Sequence, residues 1–489
     1  MMLLEKLIKN MPVELIKGNI DIEILGSCVN SQKAKKGFIF FAMKGQQREG
    51  ASFINDAISR GASAIITDSK KSIELENMSN QIPIFYCENI RDVMGIINLN
   101  LYGNPSSVLD LVGITGTNGK TTTVFLLEHI LKNDSRCPGI ISTVKYSFAS
   151  RSIPSEMTTP DNPELFDLLS QMVKAGCDIS ILEISSQASH QKRIAGIDFD
   201  LKIFTNLSQD HLDYHKNMQN YKESKESFLF DDKKVPVIIN KDDDFGKYLY
   251  EKYRSSFNIT TYSVYAESDF KVLLTEKKIN KEEFRVQTPS GEYVIQTPLK
   301  GLFNTYNILA ALSAAYVLKL DLSTTCEAIK TFIPPEGRLT EITDNEGRNI
   351  FIDYAHTPEA LKNVLETLRV YAKKRLILCF GCGGERDSEK RAAMGKIASL
   401  NADVVFITND NPRKEDPDAI IDEIAKGFIK KNFKIIKDRR EAIQAALLSM
   451  EKNDLLIIAG KGHENYQIIG SQYIPFNDIE VVKELCGKD

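Results

Sequence analysis

Long apolar runs are missing from this 489-residue sequence. The longest apolar runs have the length of a strand, far short of the roughly 20 residues that a membrane-spanning helix needs. The amino-terminal segment MMLLEKLIKN is amphipathic and lacks the long apolar core of a secretory signal peptide. We therefore expect a cytoplasmic protein with no membrane partner.

A surplus of basic charge is also missing. Lys and Arg together number 62, and Asp and Glu number 66, so the formal net charge is −4. Because nucleic-acid-binding domains carry clustered positive charge, we expect no nucleic-acid partner. The apolar share of 42% and the charged share of 26% are typical of a globular chain, and the length predicts two to four domains.

Cysteines are few and scattered. Among the eight, Cys379 and Cys382 stand in a C-x-x-C arrangement. A zinc site needs two further ligands at suitable spacing, and the nearby sequence supplies none. Buried thiols are the preferred interpretation, and a redox role for this pair is the weaker alternative.

What the sequence does contain is a glycine-rich loop, GITGTNGKTTT, at residues 113–123. An apolar run precedes it at 108–112, and a helix-like segment follows it at 124–131. Strand, glycine loop and helix in this order form the context in which backbone N–H groups cradle phosphates. The helix start adds a favourable partial positive charge. The loop therefore predicts a bound nucleoside triphosphate.

Individual residues of the loop suit phosphate chemistry. Gly116 and Gly119 allow the backbone to approach phosphate oxygens closely. Lys120 supplies a charge near the transferable phosphate, and Thr121 offers a hydroxyl to Mg²⁺. The usual pattern has glycine five residues before Gly119, where this chain has Ile114. The loop is thus a variant of the common phosphate-binding pattern.

Strands and helices are predicted to alternate through most of the chain, as in a doubly wound α/β fold. Apolar runs predict buried strands at 37–43 and 62–68. Residues 259–299 instead show alternating strands with a hairpin turn at 289–291, and a helix is predicted after them at 306–318. Turn-rich segments at 103–107 and 334–338 mark boundaries. We predict three domains: an α/β domain at 1–106, a central phosphate-loop α/β domain with an added antiparallel region at 107–336, and a Rossmann-like domain at 337–489.

Three features of the predicted central domain differ in how strongly they indicate a role in metal or phosphate binding. Glu183 ends a predicted buried strand and could reach Mg²⁺, although an exposed strand-end carboxylate is an equally good interpretation. Residues 210–215 pack two acids and two histidines together, which favours a metal or phosphate role. Lys225 follows a plain amphipathic pattern and by itself indicates an ordinary helix-face lysine.

In the carboxyl-terminal part, polar clusters follow four predicted strands. Functional groups in such sheets gather at the carboxyl ends of strands. Arg386 and Arg413 could each clamp a carboxylate, and Glu464 could accept an ammonium group. These residues predict an amino-acid ligand with an extra carboxylate, and surface ion pairs are the alternative. The clusters are Asp353 to His356, Gly381 to Asp387, Thr408 to Arg413 and Gly460 to Glu464.

Taken in order, these motifs resemble those of the Mur ligases, the ATP-dependent amide ligases of bacterial cell-wall precursor synthesis. The resemblance covers essentially the whole chain. The matching segments are NSQ (30–32), GTNGKTTT (116–123), TTPD (158–161), EISSQAS (183–189), TNLSQDHLDYH (205–215), YKESK (221–225), NxxN (304–307), GR (337–338), DYAHTP (353–358), GCGGERD (381–387), DNPR (410–413) and GKGHE (460–464). The DNPR segment is typical of members that add meso-diaminopimelate.

The resemblance implies the following roles for residues of this chain. ATP would contact Gly116, Thr117, Asn118, Gly119, Lys120, Thr121, Thr122, Asn304, Asn307, Arg338, Asp353 and His356. The first domain would hold a UDP-sugar near Val29 and Ser31, and the attached dipeptide would contact Thr158, Thr159, Ser185, Gln191 and Arg193. Diaminopimelate would contact Arg386, Asp410, Asn411, Pro412, Arg413, Gly460 and Glu464. Catalysis would involve Lys120, Glu183, His211 and Lys225, and the Mg²⁺ ligands would be Thr121, Glu183, His211 and Lys225.

The resemblance also implies a reaction and a modification. Lys225 matches a lysine that CO₂ converts to a carbamate, which would ligate one of two Mg²⁺ ions. The implied activity joins meso-2,6-diaminopimelate to UDP-N-acetylmuramoyl-L-alanyl-D-glutamate through an acyl phosphate, for peptidoglycan synthesis, and we expect a monomer. Alternatives are the same ligase with L-lysine or meso-lanthionine, a folylpolyglutamate synthase-like ligase, or a nucleotide-regulated binding protein without ligase activity.

Overall fold

The structure, a computed structural model, describes residues 2–45, 49–70, 82–273, 283–344 and 346–487. Contacts between residues divide the chain into two units. The first unit contains 1–115, 135–202 and 227–235, and the second contains 116–134, 203–226 and 236–489. No helix among the described residues is long and apolar enough to cross a membrane.

The elements, in chain order, have these bounds. Residues 2–115 contain β1 Met2–Leu3, α1 Leu4–Ile8, β2 Glu14–Lys17, β3 Glu23–Ile24, β4 Gly26–Cys28, β5 Phe38–Ala42, α2 Ile54–Ser59, β6 Ala64–Thr67, β7 Ile84–Tyr86, α3 Ile90–Leu101 and β8 Asp110–Thr115. Residues 116–253 contain α4 Lys120–Asn133, β9 Pro138–Ile141, β10 Lys145–Phe148, β11 Arg151–Pro154, α5 Asn162–Lys174, β12 Ile179–Glu183, α6 Ser186–His190, β13 Leu201–Phe204, α7 Leu212–His215, α8 Met218–Leu229, β14 Val237–Asn240 and α9 Asp244–Tyr253.

The remaining elements complete the chain. Residues 254–344 contain β15 Ile259–Ser263, β16 Phe270–Leu273, β17 Glu283–Thr288, β18 Gly291–Gln296, α10 Leu302–Val317, α11 Leu322–Lys330 and β19 Thr340–Thr343. Residues 346–487 contain β20 Asn349–Asp353, α12 Pro358–Tyr371, β21 Leu376–Phe380, α13 Glu389–Asn401, β22 Val404–Ile407, α14 Pro417–Lys426, β23 Phe433–Ile435, α15 Arg439–Ser449, β24 Leu455–Ala459, β25 Tyr466–Ile469, β26 Gln472–Pro475 and α16 Asp478–Leu485.

The amino-terminal sheet has the order β2-β7-β6-β5-β4, and its last four strands are parallel. Parallel strands are covered on both faces, which explains the nearly continuous apolar residues of β5 and β6. Ile39 and Phe41 pack in the cluster that includes α3, while Phe40 and Ala42 pack in the one that includes α2. The strands predicted at 37–43 and 62–68 are confirmed.

Also in the first unit, β8 lies beside β12 in parallel, and β12 lies beside β9. The register pairs Glu183 with Ile114, so both strands end at the same edge. Functional residues of parallel sheets gather at this edge. Glu183 therefore lies at the edge of the sheet where β8 ends.

In the second unit, β15 and β16 lead into an antiparallel region formed by β16, β17 and β18. The predicted hairpin turn is confirmed between β17 and β18, and residues 274–282 of that prediction lie outside the described residues. The helix predicted at 306–318 is observed as α10 and begins four residues earlier. Gly301, with a φ of 92°, precedes its first turn.

The carboxyl-terminal sheet has the order β19-β20-β24-β21-β22-β23, with parallel pairing from β20 to β23. Helices α12, α13 and α14 pack on one face, while α15 and α16 pack on the other. This is the doubly wound arrangement predicted from the sequence. Parallel pairing gathers the four predicted polar clusters at one edge of the sheet.

Candidate active site

At two positions of the glycine-rich loop, the backbone conformation and the close neighbours suit only glycine. Gly116 and Gly119 have φ values of 151° and 85°. A Cβ on Gly119 would overlap Asn307 Oδ1, and one on Gly116 would overlap Thr205 Oγ1. Since side chains are excluded here, the backbone N–H groups remain close to any phosphate that the loop binds.

The segment after β13 holds the loop in place. Asn206 Oδ1 accepts a hydrogen bond from the Asn118 N–H at 2.9 Å, and the Ser208 N–H donates to Thr117 Oγ1 at 3.0 Å. Lys120 Nζ donates to the carbonyl oxygens of Gly116 and Thr117 at 3.0 and 2.9 Å. The lysine ammonium therefore lies directly on the predicted phosphate loop.

Predicted nucleotide contacts from three distant segments also lie together in the second unit. Arg338 Nη2 donates to Thr121 Oγ1 at 2.8 Å. Asn307 Nδ2 donates to Asn304 Oδ1 at 3.0 Å, and both asparagines are buried, as is Thr122. The structure thus brings these predicted residues to the loop and its helix.

Asp353 follows the same pattern at the end of β20. Its carboxylate accepts N–H bonds from Leu339 at 2.7 Å and Ala355 at 2.8 Å. Burial raises the pKa of Asp353 to about 6, although nearby Arg338 opposes the rise. The carboxylate therefore orders the segment that carries Arg338.

Asp210 is the centre of a charged cluster. Its carboxylate lies 3.5 Å from His211 Nε2, 3.8 Å from His356 Nε2 and 3.7 Å from Lys390 Nζ. Burial favours the neutral acid, but the three basic neighbours outweigh it and hold the pKa of Asp210 well below its usual range. Burial also lowers the pKa of His211 to about 4, despite Asp210. His211 is therefore a neutral imidazole near pH 7, the form that binds metals.

Lys225 is not an ordinary helix-face lysine. Its residue is 1% exposed, and its Nζ lies 4.6 Å from the ring centre of Tyr221. Burial and the charge of Lys120 hold the pKa of Lys225 well below its usual range. The interpretation of Lys225 as an ordinary helix-face lysine is wrong. The sequence pattern of α8 does not reveal which other segments pack over this side chain.

Glu183 is fully buried in the first unit rather than exposed. Thr143 donates to both carboxylate oxygens, through its N–H at 3.1 Å and its hydroxyl at 2.9 Å. The Thr143 hydroxyl also lies 3.1 Å from that of Thr158. A buried carboxylate held by two donors has a fixed orientation, as a metal ligand requires.

The predicted dipeptide contacts form a connected set in the first unit. Arg193 donates to the Thr159 carbonyl at 2.9 Å and to Gln191 Oε1 at 2.8 Å. The Ser185 N–H donates to Thr159 Oγ1 at 3.0 Å. Val29 and Ser31 follow β4 in the amino-terminal sheet, and Ser31 is buried.

Arg413 and Arg386 form a positive end of the site in the second unit. Arg413 Nη1 donates to the carbonyl of Gly384 at 2.6 Å. A Cβ on Gly383 would lie 3.0 Å from Arg413 Nη1 and 3.8 Å from Arg386 Cγ, so glycine leaves space between them. Burial and the like charge of Arg386 lower the pKa of Arg413. A carboxylate bound here would relieve that repulsion.

Glu464 lies at the same edge of the sheet and interacts electrostatically with Arg413. Its Oε2 accepts hydrogen bonds from Asn411 Nδ2 at 2.8 Å and from Lys461 Nζ at 2.9 Å. Asp410 Oδ2 lies against Gly460, where a Cβ would be 2.6 Å away, and Pro412 is buried beside Gly384. Two positive groups and an oriented carboxylate thus occupy one edge of the sheet, as a zwitterion with an extra carboxylate requires.

Comparisons with known proteins identify the family. The model for the Mur ligase family catalytic domain matches residues 23–97, the Mur ligase middle domain matches 114–315, and the Mur ligase glutamate ligase domain matches 337–462. A relative from Caldanaerobacter subterraneus subsp. tengcongensis, named UDP-N-acetylmuramoyl-L-alanyl-D-glutamate--2,6-diaminopimelate ligase, is 39% identical over 97% of both chains. This chain belongs to the Mur ligase family.

Further Mur ligases are similar over nearly the full length. A relative of the same name from Clostridium tetani is 37% identical over 99% of both chains. A solved structure of a UDP-N-acetylmuramoyl-L-alanyl-D-glutamate--2,6-diaminopimelate ligase has a TM-score of 0.68 and 30% identity, covering 99% of each chain. The predicted α/β fold is confirmed as that of a Mur ligase.

Sequence reasoning missed several residues of this Mur ligase that orient the predicted ones. Thr143 holds Glu183, Lys390 pairs with Asp210, and Lys461 holds Glu464. Lys461 lies inside the GKGHE segment and could have been selected from it. Thr143 and Lys390 have no comparable signal, because their partners are distant in sequence.

The paired cysteines are buried in the second unit. Cys379 and Cys382 are free and buried, and burial raises the pKa of each thiol to about 12. Thiols with such a high pKa are poor nucleophiles. Among the described residues, no group of three or more His, Cys, Asp or Glu could hold a metal ion. The preferred interpretation as buried thiols agrees with this environment.

Proposed function

We propose that this chain joins meso-2,6-diaminopimelate to UDP-N-acetylmuramoyl-L-alanyl-D-glutamate at the expense of ATP. Mur ligases use ATP, and the full-length relatives carry this activity in their names. The observation that carries the choice of amino acid is the pair Arg386 and Arg413 with Glu464 nearby, at one edge of the carboxyl-terminal sheet. We retain the three-domain division at residues 106 and 336 as part of this proposal.

The first step transfers a phosphoryl group. The terminal carboxylate of the dipeptide attacks the γ-phosphorus of ATP, the bond to the β-phosphate oxygen breaks, and ADP leaves. Lys120 and the loop N–H groups neutralise charge that develops on the transferred group. The product is an acyl phosphate. We propose that Thr158, Thr159, Ser185, Gln191 and Arg193 hold the dipeptide, and that Val29 and Ser31 lie near the uridine.

The second step forms the amide. The amine of diaminopimelate attacks the acyl carbon, phosphate leaves with the bonding electrons, and the amine loses its proton. Glu464 binds an ammonium group of the amino acid while Arg413 and Arg386 bind its distal carboxylate. Holding the amine at a fixed distance from the acyl carbon supplies much of the rate.

The residues proposed for Mg²⁺ have suitable chemistry. Thr121 and Glu183 offer oxygen ligands, and the neutral His211 offers a ring nitrogen. A site with few protein ligands agrees with Mg²⁺, which is usually completed by phosphates and water. When bound, Mg²⁺ would screen phosphate charge and polarise the transferred group.

Lys225 suits carbamylation because its burial favours the neutral form of the amine. Only the neutral amine attacks CO₂, forming an N–C bond and releasing a proton, and the buried Lys225 has a strongly lowered pKa. The product would replace a cation by an acid that can ligate Mg²⁺. We therefore retain Lys225 as a carbamate ligand in the proposed site.

The test is a phosphate-release assay with ATP, UDP-N-acetylmuramoyl-L-alanyl-D-glutamate and a panel of amino acids. We expect kcat/KM for meso-diaminopimelate to exceed that for L-lysine by about 10²-fold or more, since lysine leaves the arginine pair without a carboxylate. meso-Lanthionine keeps that carboxylate and should compete. Faster turnover with L-lysine, or phosphate release that needs a folate instead of the dipeptide, would contradict the proposal.

Thr143 provides a test of the role of Glu183. Thr143→Val removes the hydroxyl donor and keeps the N–H donor, so we expect the Mg²⁺ concentration for half-maximal rate to rise about tenfold. Thr143→Ser keeps the hydroxyl and should stay close to the wild type. The Mg²⁺ dependence of phosphate release measures both variants. An unchanged dependence in Thr143→Val would argue against Glu183 as a ligand.

A further inference from the structure

Arg439 and Asp478 form a charge pair that is hidden from solvent. Both side chains are 0% exposed, and the guanidinium donates to the two carboxylate oxygens at 2.8 and 2.7 Å. Taking two charges out of water costs several kcal/mol, and an apolar pair of similar volume is often at least as stable. Stability alone therefore gives no reason for the pair.

The remaining donors of Arg439 reach two strand ends. Nη2 donates to the Ala459 carbonyl at 3.1 Å, and Nη1 donates to the Asn409 carbonyl at 3.4 Å. Ala459 is the last residue of β24, and Asn409 lies two residues beyond β22. One rigid guanidinium thus bonds both segments just before they enter the candidate amino-acid site.

The residues that follow these two carbonyls are the ones that orient the amine end of the site. Asn411 lies two residues after Asn409, and Glu464 lies five residues after Ala459. The two are joined by a 2.8 Å hydrogen bond between Asn411 Nδ2 and Glu464 Oε2. Their relative position depends on the spacing of the two strand ends that Arg439 bridges.

We propose that Arg439, oriented by Asp478, is a positioning residue that sets the spacing of these two segments for amino-acid binding. The inference rests on the proposed function. Arg439 is fully buried and acts through Asn411 and Glu464 rather than by touching the amino acid. Its loss should therefore weaken amino-acid binding while ATP binding, which uses the glycine-rich loop, is retained.

The test removes both charges together. In Arg439→Met with Asp478→Leu no buried charge is left alone, and we expect KM for meso-diaminopimelate to rise roughly tenfold or more. KM for ATP should stay within about twofold of the wild type. Arg439→Lys keeps the charge but cannot bond the carboxylate and both carbonyls, so it should show a smaller rise. Circular dichroism shows whether each variant is folded. If the double variant is unfolded, the KM values of Arg439→Lys decide the test instead.

A control pair lies at the opposite end of β24, beside the start of β21. Arg375 and Asp454 directly precede β21 and β24, and Arg375 Nη2 lies 2.6 Å from Asp454 Oδ2. Arg375→Met with Asp454→Leu should leave both KM values near those of the wild type.

Two results would overturn the inference. One is an unchanged KM for meso-diaminopimelate in the folded Arg439 variant that decides the test. The other is an equal rise of this KM in the Arg375 and Asp454 control variant. A wild-type enzyme that releases no phosphate with meso-diaminopimelate would instead refute the proposed function, and the inference with it. If the wild type is active with meso-diaminopimelate and the Arg439 variant has the same KM for it, the inference is refuted and the proposed function stands.

Discussion

Arg413→Ala is expected to lower kcat/KM for meso-diaminopimelate by about 10²- to 10³-fold, because a buried, charge-assisted contact to the distal carboxylate is lost. The same change should alter KM for ATP only slightly. Arg413 has a φ of 54°, where alanine and arginine are equally strained. The substitution therefore does not change the backbone strain, and the loss of kcat/KM reports the loss of the guanidinium. Steady-state phosphate release with each substrate varied in turn measures it.

Lys414→Ala is the matched control for this prediction. Lys414 is the next residue of the same loop, carries the same charge and is exposed. Its removal should change kcat/KM for the amino acid little, because exposed charges are screened by solvent. Arg413→Lys keeps the positive charge and should therefore retain part of the activity. It should not reach the wild-type activity, because an ammonium lacks the two-donor fork of the guanidinium. Unchanged amino-acid kinetics in Arg413→Ala would refute the assignment of this residue.

Lys225→Ala should lower kcat by about 10²- to 10³-fold, because the variant loses the acid that we propose ligates Mg²⁺. The deletion also leaves a cavity where a fully buried side chain was. A short-chain carboxylic acid fits such a cavity and restores a negative oxygen ligand. We therefore expect acetate or formate to restore part of the phosphate release, in a concentration-dependent manner.

The choice of rescuing compound makes this prediction decisive. Neutral acetamide should fail, since it has a similar size but supplies no negative oxygen ligand. Lys222→Ala removes a partly exposed lysine from the same helix and should remain active without rescue. A fully active Lys225→Ala, or equal rescue by acetamide and acetate, would exclude a carbamate at this position.

Local sequence features predicted the fold well. The buried strands of the carboxyl-terminal sheet, such as 376–380 and 455–459, are short apolar runs that periodicity detects directly. The start of α10 was missed by four residues because Gly301 ends the preceding segment through its backbone conformation rather than through an apolar pattern. Helix boundaries depend on such capping geometry, which composition does not reveal.

The predicted site was less complete than the predicted fold. The loop residues Gly116 to Thr121 are contiguous, so their joint role is visible in the sequence. Thr143, Lys390 and Arg439 act on partners far away in the chain, and no local pattern distinguishes them from ordinary polar residues. Their roles arise from strand pairing and helix packing.

The sequence by itself determined the class of fold, the phosphate loop and the Mur ligase family, because each depends on residues close together or on ordered motifs. Only the tertiary structure decided the environments of Glu183 and Lys225. Both side chains are buried, and a pKa or an orientation depends on neighbours from every packed segment, which the linear order does not specify. For the same reason, only the folded sheet shows that Arg439 bridges two strand ends behind the amino-acid site.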